Sequence, residues 1–207
     1  VVTNAPEEAI FLTMMALLNP GDRVVVQTPC YQSLFELAAC RGCDVHPWPM
    51  VETDGGWRMD LDHLADLMTA GARLLVVNVP HNPTGYLPTA AEFDAILDLA
   101  TRHGAWLFCD EMYRGLEYNP ADRLPSASDR YPWAISLWGM SKTFGLAGLR
   151  IGWLATQDRQ MVALLLRLKD YTTICSSAPG EFLARVALEQ AETIIRCLLY
   201  TSDAADE

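Results

Sequence analysis

Three apolar, strand-like runs each lead into residues able to do chemistry. Residues 73–79 run into Pro80-His81-Asn82-Pro83-Thr84-Gly85, residues 105–109 into Asp110-Glu111-Met112-Tyr113, and residues 134–138 lead to Ser141-Lys142. The lysine is the odd member. "GMSKTFGLAGLRIGW" (139–153) surrounds it with glycines and aliphatics, and a buried ammonium is costly unless something compensates. An amine walled by apolar groups is held partly neutral, and a neutral amine attacks a carbonyl, which is Schiff-base chemistry.

The neighbouring residue types suit one kind of ligand. An aspartate ending a buried strand can hold a proton on a ring nitrogen, and an asparagine amide and a tyrosine hydroxyl can both hydrogen-bond a phenolate oxygen. Arg150, eight residues after Lys142 across a glycine-rich turn, offers a planar fork for phosphate. The helix start at Pro6-Glu7-Glu8 adds backbone N–H groups for the same anion. An aromatic aldehyde with a ring nitrogen, a hydroxyl and a phosphate is pyridoxal 5′-phosphate. Each residue taken singly has a plainer explanation: Asn82-Pro83-Thr84-Gly85 as a turn, Asp110 as a helix cap, Tyr113 as core, Lys142 as a snorkelling surface residue.

The elements that must position them alternate along the chain. Strands are predicted at 1–3, 24–27, 44–48, 73–79, 105–109, 134–138 and 150–155. Helices are predicted from Pro6 to a stop at Asn19-Pro20-Gly21, and at 31–41, 61–70 (capped by Asp60), from the Thr89-Ala-Ala-Glu92 capping box to Gly104, at 159–169 and at 180–197. Such alternation predicts an α/β fold, a three-layer α/β/α arrangement around a mostly parallel seven-stranded sheet. In such sheets ligands bind outside the carboxyl ends of the strands, where these polar residues fall.

Composition bounds the rest. The 207 residues carry a net charge of −11 with sparse Lys and Arg, which argues against a nucleic-acid partner. Six cysteines lie in apolar contexts without regular spacing and read as reduced thiols of a cytoplasmic protein. Cys40-x-x-Cys43 with His46 is half a zinc pattern without a second half. The longest nearly apolar run, 9–18, is too short to span a bilayer. The chain begins with valine, so a start further upstream is expected. The closing run 197–207 resembles translated sequencing-adapter read-through and is set apart from the fold.

"NVPHNPTG", "CDEMYRGLE" and "GMSKTFGLAGLRIGW", in this order, resemble the signatures of the fold type I, class I/II pyridoxal-phosphate-dependent aminotransferases. The resemblance implies that Lys142 carries the cofactor and shuttles a proton, and that Asp110 pairs with the pyridine nitrogen. It implies that Asn82 and Tyr113 contact the phenolic oxygen, Arg150 the phosphate, and Tyr31 the ring face, with a core tyrosine as the plain alternative. Two positions depart from the pattern. Ala5-Pro6 replaces a glycine-rich loop, leaving the Glu7 and Glu8 amides as donors but their carboxylates near the anion, and Gly139 replaces a serine, leaving Ser141 as the nearer hydroxyl.

The resemblance further implies amino-acid and 2-oxo-acid substrates and a homodimer. It implies domain limits of 1–155 for the cofactor-binding large domain and 156–196 for helices leading toward a small domain that is largely absent, so that the fragment is inactive alone. "LKDYTTICSSAP" with "GLRIGW" resembles a subgroup that includes capreomycidine-synthase-like enzymes. A lyase or cyclase using the same cofactor and a non-catalytic sensor domain are the alternatives. A dinucleotide-binding fold is disfavoured, since no G-x-G-x-x-G follows a strand.

Overall fold

The computed structural model describes residues 1–203, with side chains as far as Thr201. In chain order the elements are β1 (Val2–Asn4), α1 (Ala5–Leu17), β2 (Arg23–Thr28), α2 (Ser33–Cys40), β3 (Asp44–Pro49), β4 (Val51–Thr53), β5 (Gly56–Arg58), α3 (Leu61–Thr69), β6 (Leu74–Asn78), α4 (Ala90–His103), β7 (Trp106–Asp110), α5 (Ala127–Arg130), β8 (Ala134–Gly139), β9 (Ile151–Ala155), α6 (Arg159–Lys169), α7 (Ala178–Glu189) and α8 (Ala191–Asp203).

Seven strands form one sheet in the order β1-β9-β8-β7-β6-β2-β3. From β3 to β8 every pairing is parallel; β9 is antiparallel to both β8 and β1. Strand alternation divides the core between the two faces. Leu75 and Val77 of β6 pack with Leu64, Met68, Phe93 and Ile96 of α3 and α4. Leu74 and Val76 pack with Ile10, Met14 and Leu17 of α1 and with Leu165 of α6. The α/β expectation thus holds, with a three-layer arrangement and one reversed strand.

Local chemistry sets the helix ends. Asp60 accepts from the His63 N–H at 3.0 Å. Thr89 and Glu92 form the full capping box, and Gly104 ends α4 at φ +61°, a left-handed conformation that glycine adopts without a Cβ clash. Three features differ from expectation. The stretch 180–197 is two helices broken at Gln190, and β4 and β5 form a small hairpin of their own around Asp54-Gly55. Helix α8 also runs past Cys197 to Asp203, while residues 204–207 of the expected foreign tail lie outside the described residues. Among the described residues no helix is long and apolar enough to cross a membrane.

Candidate active site

Strand register levels the floor of the site. Asn78 stands opposite Asp110, and Asp110 opposite Leu137, so β6 and β7 end level, β8 continues two residues further to Gly139, and the chain leaving each passes over the same edge. Asp110, the last residue of β7, is only 6% exposed, and its Oδ1 accepts the Met112 N–H at 3.1 Å. Burial pushes its carboxyl up to about 7; the Met112 hydrogen bond opposes this, the charges of Glu111 and Glu7 add to it, and Lys142 pulls the other way.

A buried relay that sequence reasoning passed over holds two of these residues in place. Asn78 Nδ2 donates to the Asp110 carbonyl at 2.8 Å, and Asn78 Oδ1 accepts the Asn82 N–H at 2.6 Å. The Asn78 N–H donates in turn to Gln27 Oε1 at 2.9 Å. The only sign of this in the sequence is a polar residue inside each of two apolar strands, where an unpaired amide would be penalised. His81 braces the same loop through Thr84 Oγ1 at 2.7 Å, and burial lowers its pKa to about 4, so it is neutral at physiological pH.

Lys142 corrects an expectation. It is exposed rather than buried, because Met140, Thr143 and Phe144 turn into the core and take the apolar content of the loop with them. Its Nζ stands 5.8 Å from the centroid of the Tyr113 ring, within cation–π range. Thr143 ties the lysine loop to the segment carrying Tyr113: its Oγ1 accepts from Trp138 Nε1 at 3.2 Å and reaches the carbonyls of Met112 and Arg114 at 3.1 and 2.7 Å.

Across the cleft, the Ala5 N–H donates to the Arg150 carbonyl at 2.8 Å. Both residues are left-handed, at φ +69° and +53°, a conformation costing a non-glycine residue on the order of 1 kcal/mol. A backbone so shaped explains why a glycine-rich turn suits this place. The Arg150 guanidinium is exposed, its Nη1 near the Ala147 carbonyl at 3.3 Å. A Cβ on Gly139 would stand 3.0 Å from the Ile151 carbonyl oxygen, 3.1 Å from Gly152 Cα and 3.4 Å from Pro6 Cγ, so the backbone of β9 leaves no room for a serine at 139.

The two glutamates at the start of α1 part company. Glu8 turns away from the cleft: it accepts the Asn4 N–H at 2.6 Å and pairs with the buried Lys169 at 3.1 Å. Burial would raise its pKa, but hydrogen bonds from Thr172, Asn4, Thr173 and Lys169 hold it below the usual value. Glu7 faces the cleft, its Oε2 accepting from Ser33 Oγ at 2.8 Å. Tyr31 is 51% exposed, which removes the plain reading of a core tyrosine.

The groups that face the cleft surround one cavity of about 470 Å³. Lys142, Asp110, Tyr113, Asn82, Arg150, Tyr31, Ser141 and Glu7 all line it, together with Asn78, Pro6, Ile10, Met112, Leu137 and Ala147.

The sequence and the fold around this cleft are shared with known proteins. The family model for aminotransferase class I and II matches residues 1–205, and the chain belongs to that family. It is 36% identical over 195 residues to the capreomycidine synthase of Streptomyces vinaceus, a match covering 94% of this chain and 49% of that protein. The N-succinyldiaminopimelate aminotransferase of Mycobacterium tuberculosis superposes with a TM-score of 0.91 at 28% identity, over 99% of this chain and 53% of the other. A PLP-dependent aminotransferase from Streptococcus suis gives 0.88 at 31% identity, over 95% and 51%. The chain spans about half the length of the curated relatives it matches.

Proposed function

We propose that this chain is the cofactor-binding part of a pyridoxal-phosphate-dependent aminotransferase acting on amino acids and 2-oxo acids. One observation carries the reading: an amine, a deeply buried carboxylate, an amide, a phenol and a guanidinium face a single cavity in a chain of the aminotransferase family. The residues fit the cofactor. Asp110 is a buried carboxylate whose proton affinity is raised by burial, so a cationic ring nitrogen would supply the counter-charge it lacks. Lys142 would hold the aldehyde carbon, Asn82 and Tyr113 the phenolic oxygen, Tyr31 the ring face, and Arg150 with Ser141 and the Glu7 amide the phosphate.

When bound, pyridoxal 5′-phosphate supplies an electron-withdrawing ring that stabilises negative charge at a substrate α-carbon. The protein's own part is proton management. The Lys142 amine, in the open cleft beside Tyr113, can take a proton from that carbon and return one, while Asp110 holds the ring-nitrogen proton. Asn78 keeps Asp110 and Asn82 aligned through its two side-chain hydrogen bonds. The homodimer, the cytoplasmic setting and the division at 155 and 196 belong to the same proposal.

The test is covalent labelling. Incubation with pyridoxal 5′-phosphate, borohydride reduction and digestion should give a pyridoxyl label on Lys142, and Lys142→Ala should abolish it. A label on Lys169, which is paired with Glu8, or no label at all, would overturn the assignment. A second reading, ring formation or elimination with the same cofactor, draws support from the synthase among the relatives. Turnover of an amino acid without any 2-oxo acid would favour it.

A further inference from the structure

Glu7 stands where an anion is expected. It is the third residue of α1, lines the cavity beside Pro6, Tyr31 and Arg150, and is held there by Ser33 Oγ at 2.8 Å. The Tyr31 phenol faces the same carboxylate: hydrogen bonding to Glu7, then its charge, raises the pKa of that phenol. Unlike Glu8, whose charge meets Lys169 at 3.1 Å, Glu7 has no basic partner within 4.0 Å among the described residues. Nearby donors are few. The Ala5 N–H is engaged by the Arg150 carbonyl, and Pro6 has no N–H. At this end of the cleft the Arg150 cation is therefore offset by a fixed carboxylate, where a phosphate would otherwise meet a net positive charge.

Resting on the cofactor reading above, we propose that Glu7 sets the phosphate affinity of this cleft. Its carboxylate, fastened by Ser33 in the cavity that Arg150 also lines, opposes the phosphate, so that the chain favours phosphorylated over unphosphorylated pyridoxal far less than the guanidinium alone would allow. Glu7 acts on binding and not on the reacting carbon, so the effect belongs to the phosphate and not to the ring.

The experiment compares the chain with Glu7→Gln, which keeps an acceptor for Ser33 while removing the charge, and with Glu7→Ala, which removes both. Pyridoxal 5′-phosphate and pyridoxal are titrated separately and binding is read by absorbance. Removing one nearby charge is expected to tighten pyridoxal 5′-phosphate on the order of tenfold relative to pyridoxal in both variants, the ratio of the two affinities cancelling any change that reaches the ring through Tyr31. Inorganic phosphate, read through the urea midpoint, carries the same test without the aldehyde and should stabilise the variants more than the parent. Equal phosphate affinity in all three chains, or weaker affinity in the variants, would overturn the role of Glu7. Failure of both aldehydes to reach Lys142 while inorganic phosphate still distinguishes the variants would sink the cofactor reading and leave the role of Glu7 standing.

Discussion

Replacing Asp110 with asparagine keeps the shape of the side chain and its acceptor for the Met112 N–H but removes a charge from the floor of the cleft. The folded carboxyl titrates at about 7 against an ordinary value of 3.8, mainly because it is buried. The sign follows from linkage. Below about pH 4 the group is protonated in both folded and unfolded chains and contributes nothing. Between about pH 4 and 7 the unfolded chain releases the proton while the folded chain keeps it, so stability falls by about 1.4 kcal/mol per unit. Above about pH 7 the penalty is constant, about 4 kcal/mol at most for a carboxyl moved from 3.8 to about 7. Asparagine lacks this term but brings an amide whose second donor must find water in the cavity, which offsets on the order of 1 kcal/mol. The variant should therefore be more stable than the parent by about 2–3 kcal/mol at about pH 8, with the gap closing toward pH 4. Urea midpoints across that range, followed by tryptophan fluorescence, measure it, since titrations common to both chains largely cancel. A gap independent of pH, or one that widens as pH falls, would refute the reasoning. Adding pyridoxal 5′-phosphate should then stabilise the parent more than the variant, because only the parent has an anion for the ring nitrogen.

Lys169→Met leaves the Glu8 carboxylate buried without its cation and should cost about 3 kcal/mol in urea unfolding, with Glu8→Gln in the same chain recovering much of it. Gly139→Ser forces a Cβ to within 3.0 Å of the Ile151 carbonyl and 3.1 Å of Gly152 Cα; it should lose about 1–3 kcal/mol. Adding Pro6→Ala should not restore it, because the closest atoms are backbone.

The parts of this molecule legible in the sequence are those where one residue type has few alternatives. Leu74 to Val77 are buried on both faces, and such an unbroken aliphatic run is read as a covered strand whatever its neighbours do. The polar residue ending each run marks the ligand edge, which is why the separately chosen residues share one cavity. The β4–β5 hairpin was missed because Val51–Thr53 and Gly56–Arg58 are three residues each, too short for a period of two to show, although Asp54-Gly55 is a recognised hairpin turn. The reversal of β9 left no mark either, since strand direction is decided by how the chain crosses the sheet and not by side-chain pattern.

Lys142 shows the deeper limit. Its neighbours are apolar, and composition alone buries it; the structure instead sends Met140 and Phe144 inward and leaves the amine in the cleft. In a loop there is no fixed period to say which residue faces which way. A different limit hid Asn78 and Gln27, strand residues whose meaning lies in a hydrogen bond across 51 residues of sequence. For Lys142 the exposure removes the apolar walls on which the sequence argument relied and leaves access as the geometric argument: the amine stands 5.8 Å from the Tyr113 ring and lines the cavity that Asp110 and Asn82 also line. What the cleft has buried is the acid. That inversion puts the desolvated group at Asp110, where a bound cationic ring would relieve the penalty, and the solvated group at Lys142, where the covalent bond has to form.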